Sequence, residues 1–105
     1  MLTFFHVDFM GKSNGGSLAF ARIEKDLAFA PTLDTLYEQQ VWGRNTSKAK
    51  SVTYNIDENF FYVILQHDEL DPKDLKSHAE MYRRSGWTIS PWPISLKDPL
   101  SPPGT

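Results

Sequence analysis

Hydrophobic and polar residues alternate with a period of two along several stretches of the chain, the spacing of strands whose side chains point to opposite faces. In residues 2–9, Leu2, Phe4, Phe5, Val7 and Phe9 mix with Thr3, His6 and Asp8, so Phe5, Val7 and Phe9 share one side of a first strand. Gly11, Asn14, Gly15 and Gly16 crowd into the next eight positions and predict a turn, since glycine and asparagine reach positive φ cheaply. A return strand over 18–23 completes a hairpin, with Leu18, Phe20 and Arg22 on one side and the smaller Ala19 and Ala21 with Ile23 on the other. Such small residues suit close packing by another element.

Pro31 bars a helix from crossing Ala30. Beyond it, Leu33, Leu36, Tyr37 and Val41 fit a helical stripe, whereas Thr35, Tyr37, Gln39 and Val41 fit one side of a strand. The β-preferring residue types favour a strand over 35–42.

Residues 51–56 alternate again, and Asp57, Glu58 and Asn59 form a three-residue link, the asparagine suiting a left-handed position. This link predicts Ile56 opposite Phe60, Tyr54 opposite Tyr62 and Val52 opposite Ile64. Residues 60–66 are apolar on both sides through Leu65, with Phe60, Tyr62 and Ile64 on one and Phe61, Val63 and Leu65 on the other. Exposing three such side chains would cost about 1.5–3 kcal/mol each, so this strand is expected in the sheet interior.

Asp71, Pro72 and Asp74 read as the start of a helix over 72–85: an N-cap aspartate, proline at the first helical position and an acid near the positive dipole end. Arg83 and Arg84 close its last turn, Gly86 suits a left-handed C′ position, and Trp87 falls where a Schellman cap meets Tyr82. Leu75, Ala79 and Tyr82 make the buried stripe, flanked by His78. A short strand is expected over 87–90. Five prolines after Ser90 predict an extended tail.

The expectation is therefore an α+β fold: an antiparallel sheet of four to five strands, one helix on one face, a single domain over 1–90 and a proline-rich tail over 91–105. With 105 residues, a chain buries about 60–65% of its unfolded surface and supports one core. The 13% aromatic content argues for folding, and a formal charge of −2 provides no global field for nucleic acid or anionic lipid. Without cysteine, disulfides, thiolate catalysis and thiolate zinc sites are excluded. No basic leader precedes the first apolar residues and no later run is long enough for a membrane span, so an intracellular, cytoplasmic protein is expected.

Candidate chemistry is sparse. GKSNGGS lacks phosphate-loop spacing and precedes a strand. Residues 43–51 are expected to form a basic loop: Arg44, Lys48 and Lys50, with no acid and with Trp42 beside them, suit a phosphate backbone or a stacked base. His67, Asp68, Glu69, Asp71, Asp74 and His78 gather where a strand end meets the helix start, but their spacing fits no compact metal motif, and the aspartates have helix-start roles. No serine sits in a nucleophile elbow, and His6 with Asp8 reads as a surface pair. No metal, cofactor or small-molecule ligand is expected.

These features favour a non-catalytic interaction protein, a regulatory, inhibitory or accessory subunit that offers a sheet edge or aromatic patches (Trp42, Trp87, Trp92) to a protein partner or to a second copy. The alternatives are nucleic-acid binding through Trp42, Arg44, Lys48 and Lys50, helped by Arg83 and Arg84, and an enzyme or metal-binding protein using the His67–His78 corner.

Overall fold

β1 (Leu2–Gly11) is the strand on which the sheet assembles. In the computed structural model, which describes residues 1–12, 15–39 and 46–91, it pairs antiparallel with β2 (Ser17–Asp26) and parallel with a later strand, β5 (Phe60–Leu65). β3 (Leu36–Glu38) pairs antiparallel with β4 (Thr46–Asn55), and β4 pairs antiparallel with β5. β6 (Asp68–Leu70) runs parallel to the far end of β1, and β7 (Thr88–Ser90) lies antiparallel to β2. The order is β3-β4-β5-β1-β2-β7, with β6 paired to β1 off this path.

The α+β class is as expected, but the sheet is mixed rather than antiparallel and has seven strands among the described residues, not four or five. Alternation records which side a residue faces; it carries no information on the direction of a neighbouring strand. β6 escaped notice because it has only three residues, two of them acids that also read as a polar corner. The expected basic loop over 43–51 is also corrected: Thr46–Lys50 belong to β4, paired with β3. Part of the expected 35–42 strand is observed as β3, while residues 40–42 lie outside the described residues. β5 is interior, between β4 and β1.

The β4–β5 register departs from expectation by one residue. Asn55 stands opposite Phe60, Tyr54 opposite Phe61 and Val52 opposite Val63, leaving residues 56–59 as a four-residue turn. The two asparagines fix this turn. Asn55 Oδ1 accepts from the Glu58 amide at 2.9 Å, the Asn55 carbonyl accepts from the Asn59 amide at 2.9 Å, and Tyr54 donates to Asn59 Oδ1 at 2.8 Å. Asn59 takes the expected left-handed conformation, φ 58°. Because side chains alternate, the one-residue difference moves Val52 and Tyr54 onto the face of Phe61, Val63 and Leu65. Phe60, Tyr62 and Ile64 are left on the opposite face. Asn59→Ala is expected to cost about 1–2 kcal/mol, because alanine keeps the Cβ in the left-handed region but lacks the polar side chain that makes asparagine tolerant of it, and Asn59→Gly to cost less; equal losses in urea denaturation would contradict this account.

The helical segment starts as expected. Asp71 caps a 3-10 turn (Pro72–Asp74) by accepting from the Lys73 amide at 3.2 Å, and α1 (Leu75–Arg84) follows. At its end the Trp87 amide donates to the Tyr82 carbonyl at 3.1 Å and the Gly86 amide to the Arg83 carbonyl at 3.0 Å. With Gly86 at φ 96°, this is the expected Schellman cap. Leu75, Ala79 and Tyr82 are its buried residues. Phe9, fully buried, has its ring centroid 5.1 Å from that of Tyr82 and 4.8 Å from that of His78.

This places α1 on the sheet face formed by Phe5, Val7 and Phe9 of β1, Ala19, Ala21 and Ile23 of β2, Val63 and Leu65 of β5, and Ile89 of β7. The alanines allow the close approach that their size predicted: α1 contacts β2 and β7. Among the described residues, no helix is long and apolar enough to cross a membrane.

Candidate functional site

The face opposite α1 takes Phe4 and His6 from β1, Phe20 and Arg22 from β2, and Phe60, Tyr62 and Ile64 from β5, three adjacent strands. Apart from the exposed Arg22, these side chains are half-buried. A solvent-facing sheet surface is ordinarily polar, and here the outer rows, Ser51, Thr53 and Asn55 of β4 and Thr88 and Ser90 of β7, follow that rule while the central strands carry rings.

The rings are locked against one another. Phe60 meets Phe4 edge-on, with centroids 5.3 Å apart and planes at 88°, and Tyr62 stacks with Phe4 at 6.3 Å and 30°. His6 lies almost flat on Phe20, at 4.6 Å and 19°. The Arg22 guanidinium sits 5.2 Å from the Phe4 centroid, within cation–π range. Rings held this way lose little side-chain freedom when a partner covers them.

His6 ties the cluster together. Its Nε2–H donates to Asp8 Oδ1 at 2.8 Å, so Nδ1 is free to accept from the Tyr62 hydroxyl, also at 2.8 Å. Asp8, read from sequence as one half of a surface pair, thus orients a half-buried imidazole whose two nitrogens are both engaged. The arrangement positions an aromatic surface.

The corner over His67–His78 divides into separate contacts. Asp68 Oδ2 accepts from His78 Nε2 at 2.8 Å and from the Tyr82 hydroxyl at 2.6 Å, joining β6 to α1. His67 turns the other way, its Nδ1 accepting from Lys50 Nζ at 2.9 Å. Asp71 is occupied as the helix cap. Among the described residues, no group of three or more His, Cys, Asp or Glu is placed to hold a metal ion. Asp68→Ala removes the acceptor shared by His78 and Tyr82 and is expected to lower stability by about 1–3 kcal/mol in thermal or urea unfolding; an unchanged midpoint would show that the strut is idle.

Of the residues singled out from sequence, Lys48 and Lys50 lie on β4, and Lys50 is engaged with His67. Trp87 is 3% exposed and belongs to the core, where its ring lies 5.2 Å from that of Tyr82. Trp42, Arg44 and Trp92 lie outside the described residues. The aromatic face itself was missed. Its signal was the second parity of the strands, Phe4 beside Phe5 and Phe20 beside Ala21, which puts large rings on the side opposite the core face.

No protein-family model, curated protein or solved structure matches the chain.

Proposed function

We propose that the chain is a small, non-catalytic interaction protein, a regulatory, inhibitory or accessory subunit, that binds another protein through the aromatic sheet face. The observation that carries this reading is the continuous set of half-buried rings, Phe20, His6, Phe4, Tyr62 and Phe60, on the face that α1 leaves open. Tyrosine, arginine and large aromatic side chains supply much of the energy of protein interfaces. Asp8, Glu24 and Arg22 place charges of both signs beside the rings, two of the three acidic, which suits a protein surface better than a polyanion. The polar β4 row supplies the rim expected around such a patch. A cytoplasmic setting and self-association through the same face belong to this proposal.

The nucleic-acid reading rests on Arg44, Lys48 and Lys50 with Trp42, and it gains Arg22 above Phe4 as a stacking platform for a base. A tagged pull-down from the cell that makes the protein, with mass spectrometry and nucleic-acid detection on the same eluate, separates the two. The protein reading expects polypeptides that vanish from the eluate of a Phe60→Glu variant. Nucleic acid released steeply by salt, with no such polypeptide, would overturn it.

A further inference from the structure

On the face opposite α1 the rings form a continuous strip across three strands, from Phe20 on β2 through His6, Tyr62 and Phe4 to Phe60 on β5. Successive centroids are 4.6 Å apart for Phe20 and His6, 5.7 Å for His6 and Tyr62, and 6.3 Å for Tyr62 and Phe4. The Phe20 end adjoins the sheet edge, where Ser90 of β7 stands opposite Phe20. Pro91 follows, and without an N–H it cannot carry the β2–β7 ladder on, so the chain leaves the sheet beside the first ring. Residues 92–105 lie outside the described residues, and their sequence holds Pro93, Pro99, Pro102 and Pro103.

We infer that the strip from Phe20 to Phe4 is a docking surface for an extended proline-rich segment, and that its occupant is the chain's own segment around Pro99 and Pro102. Aromatic-lined surfaces take polyproline II segments because such a segment is already extended and has little entropy to lose. Residues i and i+3 share one side of its three-residue turn and lie about 9 Å apart. That is close to two steps of the strip, so Pro99 and Pro102 match alternate rings. Eight residues separate Pro91 from Pro99, a reach of about 25 Å in this conformation. The three strand spacings from β7 to β5 cover only about 15 Å. Lys97 and Asp98 precede the prolines with one charge of each sign, and Asp8, Glu24 and Arg22 beside the rings offer each an opposite charge. A tether this short gives a high effective concentration, which favours the chain's own segment over a free peptide. Phe60, at the far end of the strip, stays uncovered. A partner that engages Phe60 reaches the other rings by displacing the segment. This regulation rests on the reading of the face as a binding surface.

The test uses the full chain, which has no cysteine, so Ser101→Cys gives one attachment point for a nitroxide. In the nitrogen-15 labelled protein the amide signals of Phe4, His6 and Tyr62 are expected to lose most of their intensity, regained when the nitroxide is reduced. Those of Ser77 and Met81, exposed on α1, are expected to keep theirs. Adding Pro99→Ala and Pro102→Ala to the same chain is expected to restore the lost signals. Equal losses at both sets of residues, no loss at either, or a loss that survives the proline changes overturns the docked segment. So does the same pattern in a mixture of nitroxide-bearing chain without isotope and isotope-labelled chain without nitroxide, which would seat the segment on a second copy. These signals need no partner to be present. Selective loss beside an empty pull-down overturns the partner reading alone, and a recovered partner without selective loss overturns the docked segment alone.

Discussion

Phe9→Ala is expected to remove about 3–5 kcal/mol of stability, the range for deleting a large aromatic from a close-packed core. Phe9 is fully buried, and its ring is held between the sheet and the rings of Tyr82 and His78. The short α1 has little room to collapse into the space, because its C-terminus is fixed by the Gly86 cap and its start by Asp71. A domain of this size has only about 5–15 kcal/mol in total, so much of the margin disappears. Each kcal/mol lowers the melting midpoint by roughly 4–8 °C in a chain of about this length. The variant is therefore expected to melt tens of degrees lower or to be unfolded when isolated. A loss below about 1 kcal/mol, close to that of a surface substitution, would mean that α1 does not cover the Phe5–Phe9 face.

Phe60→Glu is expected to show the reverse pattern: a loss of about 1 kcal/mol in stability and at least ~30-fold in partner affinity, equivalent to about 2 kcal/mol. Phe60 is half-buried at the first position of β5, opposite the polar Asn55 and beside the open turn, so a carboxylate there remains in water in the free protein. In a complex the same carboxylate would be covered beside Phe4, with Arg22 two strands away on the far side of the β1 row. Burying an unpaired charge is far more costly than losing a ring contact. The change therefore discriminates between the free and bound states, which truncation to alanine does less sharply. Thermal unfolding and a binding titration against the protein recovered by pull-down measure the two quantities side by side.

Local chemistry in the sequence accounted well for the elements whose causes are local. Asp71-Pro72, Gly86 and the Leu75, Ala79 and Tyr82 stripe specify the helix with its cap, because each signal acts within one or two turns. The β1–β2 hairpin and the core parity of Phe5, Val7 and Phe9 were equally legible, since alternation and a glycine-rich turn are short-range features. The parallel pairing of β1 with β5 was not, because it joins residues almost sixty positions apart and leaves no periodic mark. The β4–β5 register turned on whether Asn55 belongs to the strand or to the link. Its side chain bonds the Glu58 amide and makes the turn four residues long.

That single residue also explains why the candidate site was hidden. With Ile56 opposite Phe60, the rings of Tyr54 and Tyr62 would share a face; with Asn55 opposite Phe60, Tyr54 joins Phe61 at 4.8 Å on the helix side, while Tyr62 joins Phe4 and His6 on the other. The tryptophans drew attention as interface residues by type. Trp87 instead completes the core, because the cap that ends α1 turns it inward against Tyr82.

Site-specific photo-crosslinking tests the proposed role of the open face most directly. p-Benzoylphenylalanine placed at Phe60, on the aromatic face, is compared with the same residue placed at Met81, which is 47% exposed on α1. Irradiation in the cell that makes the protein is expected to yield a discrete protein adduct from position 60 and none from position 81. No adduct at position 60, or the same adducts at both positions, would contradict the assignment of the aromatic sheet face as the binding surface.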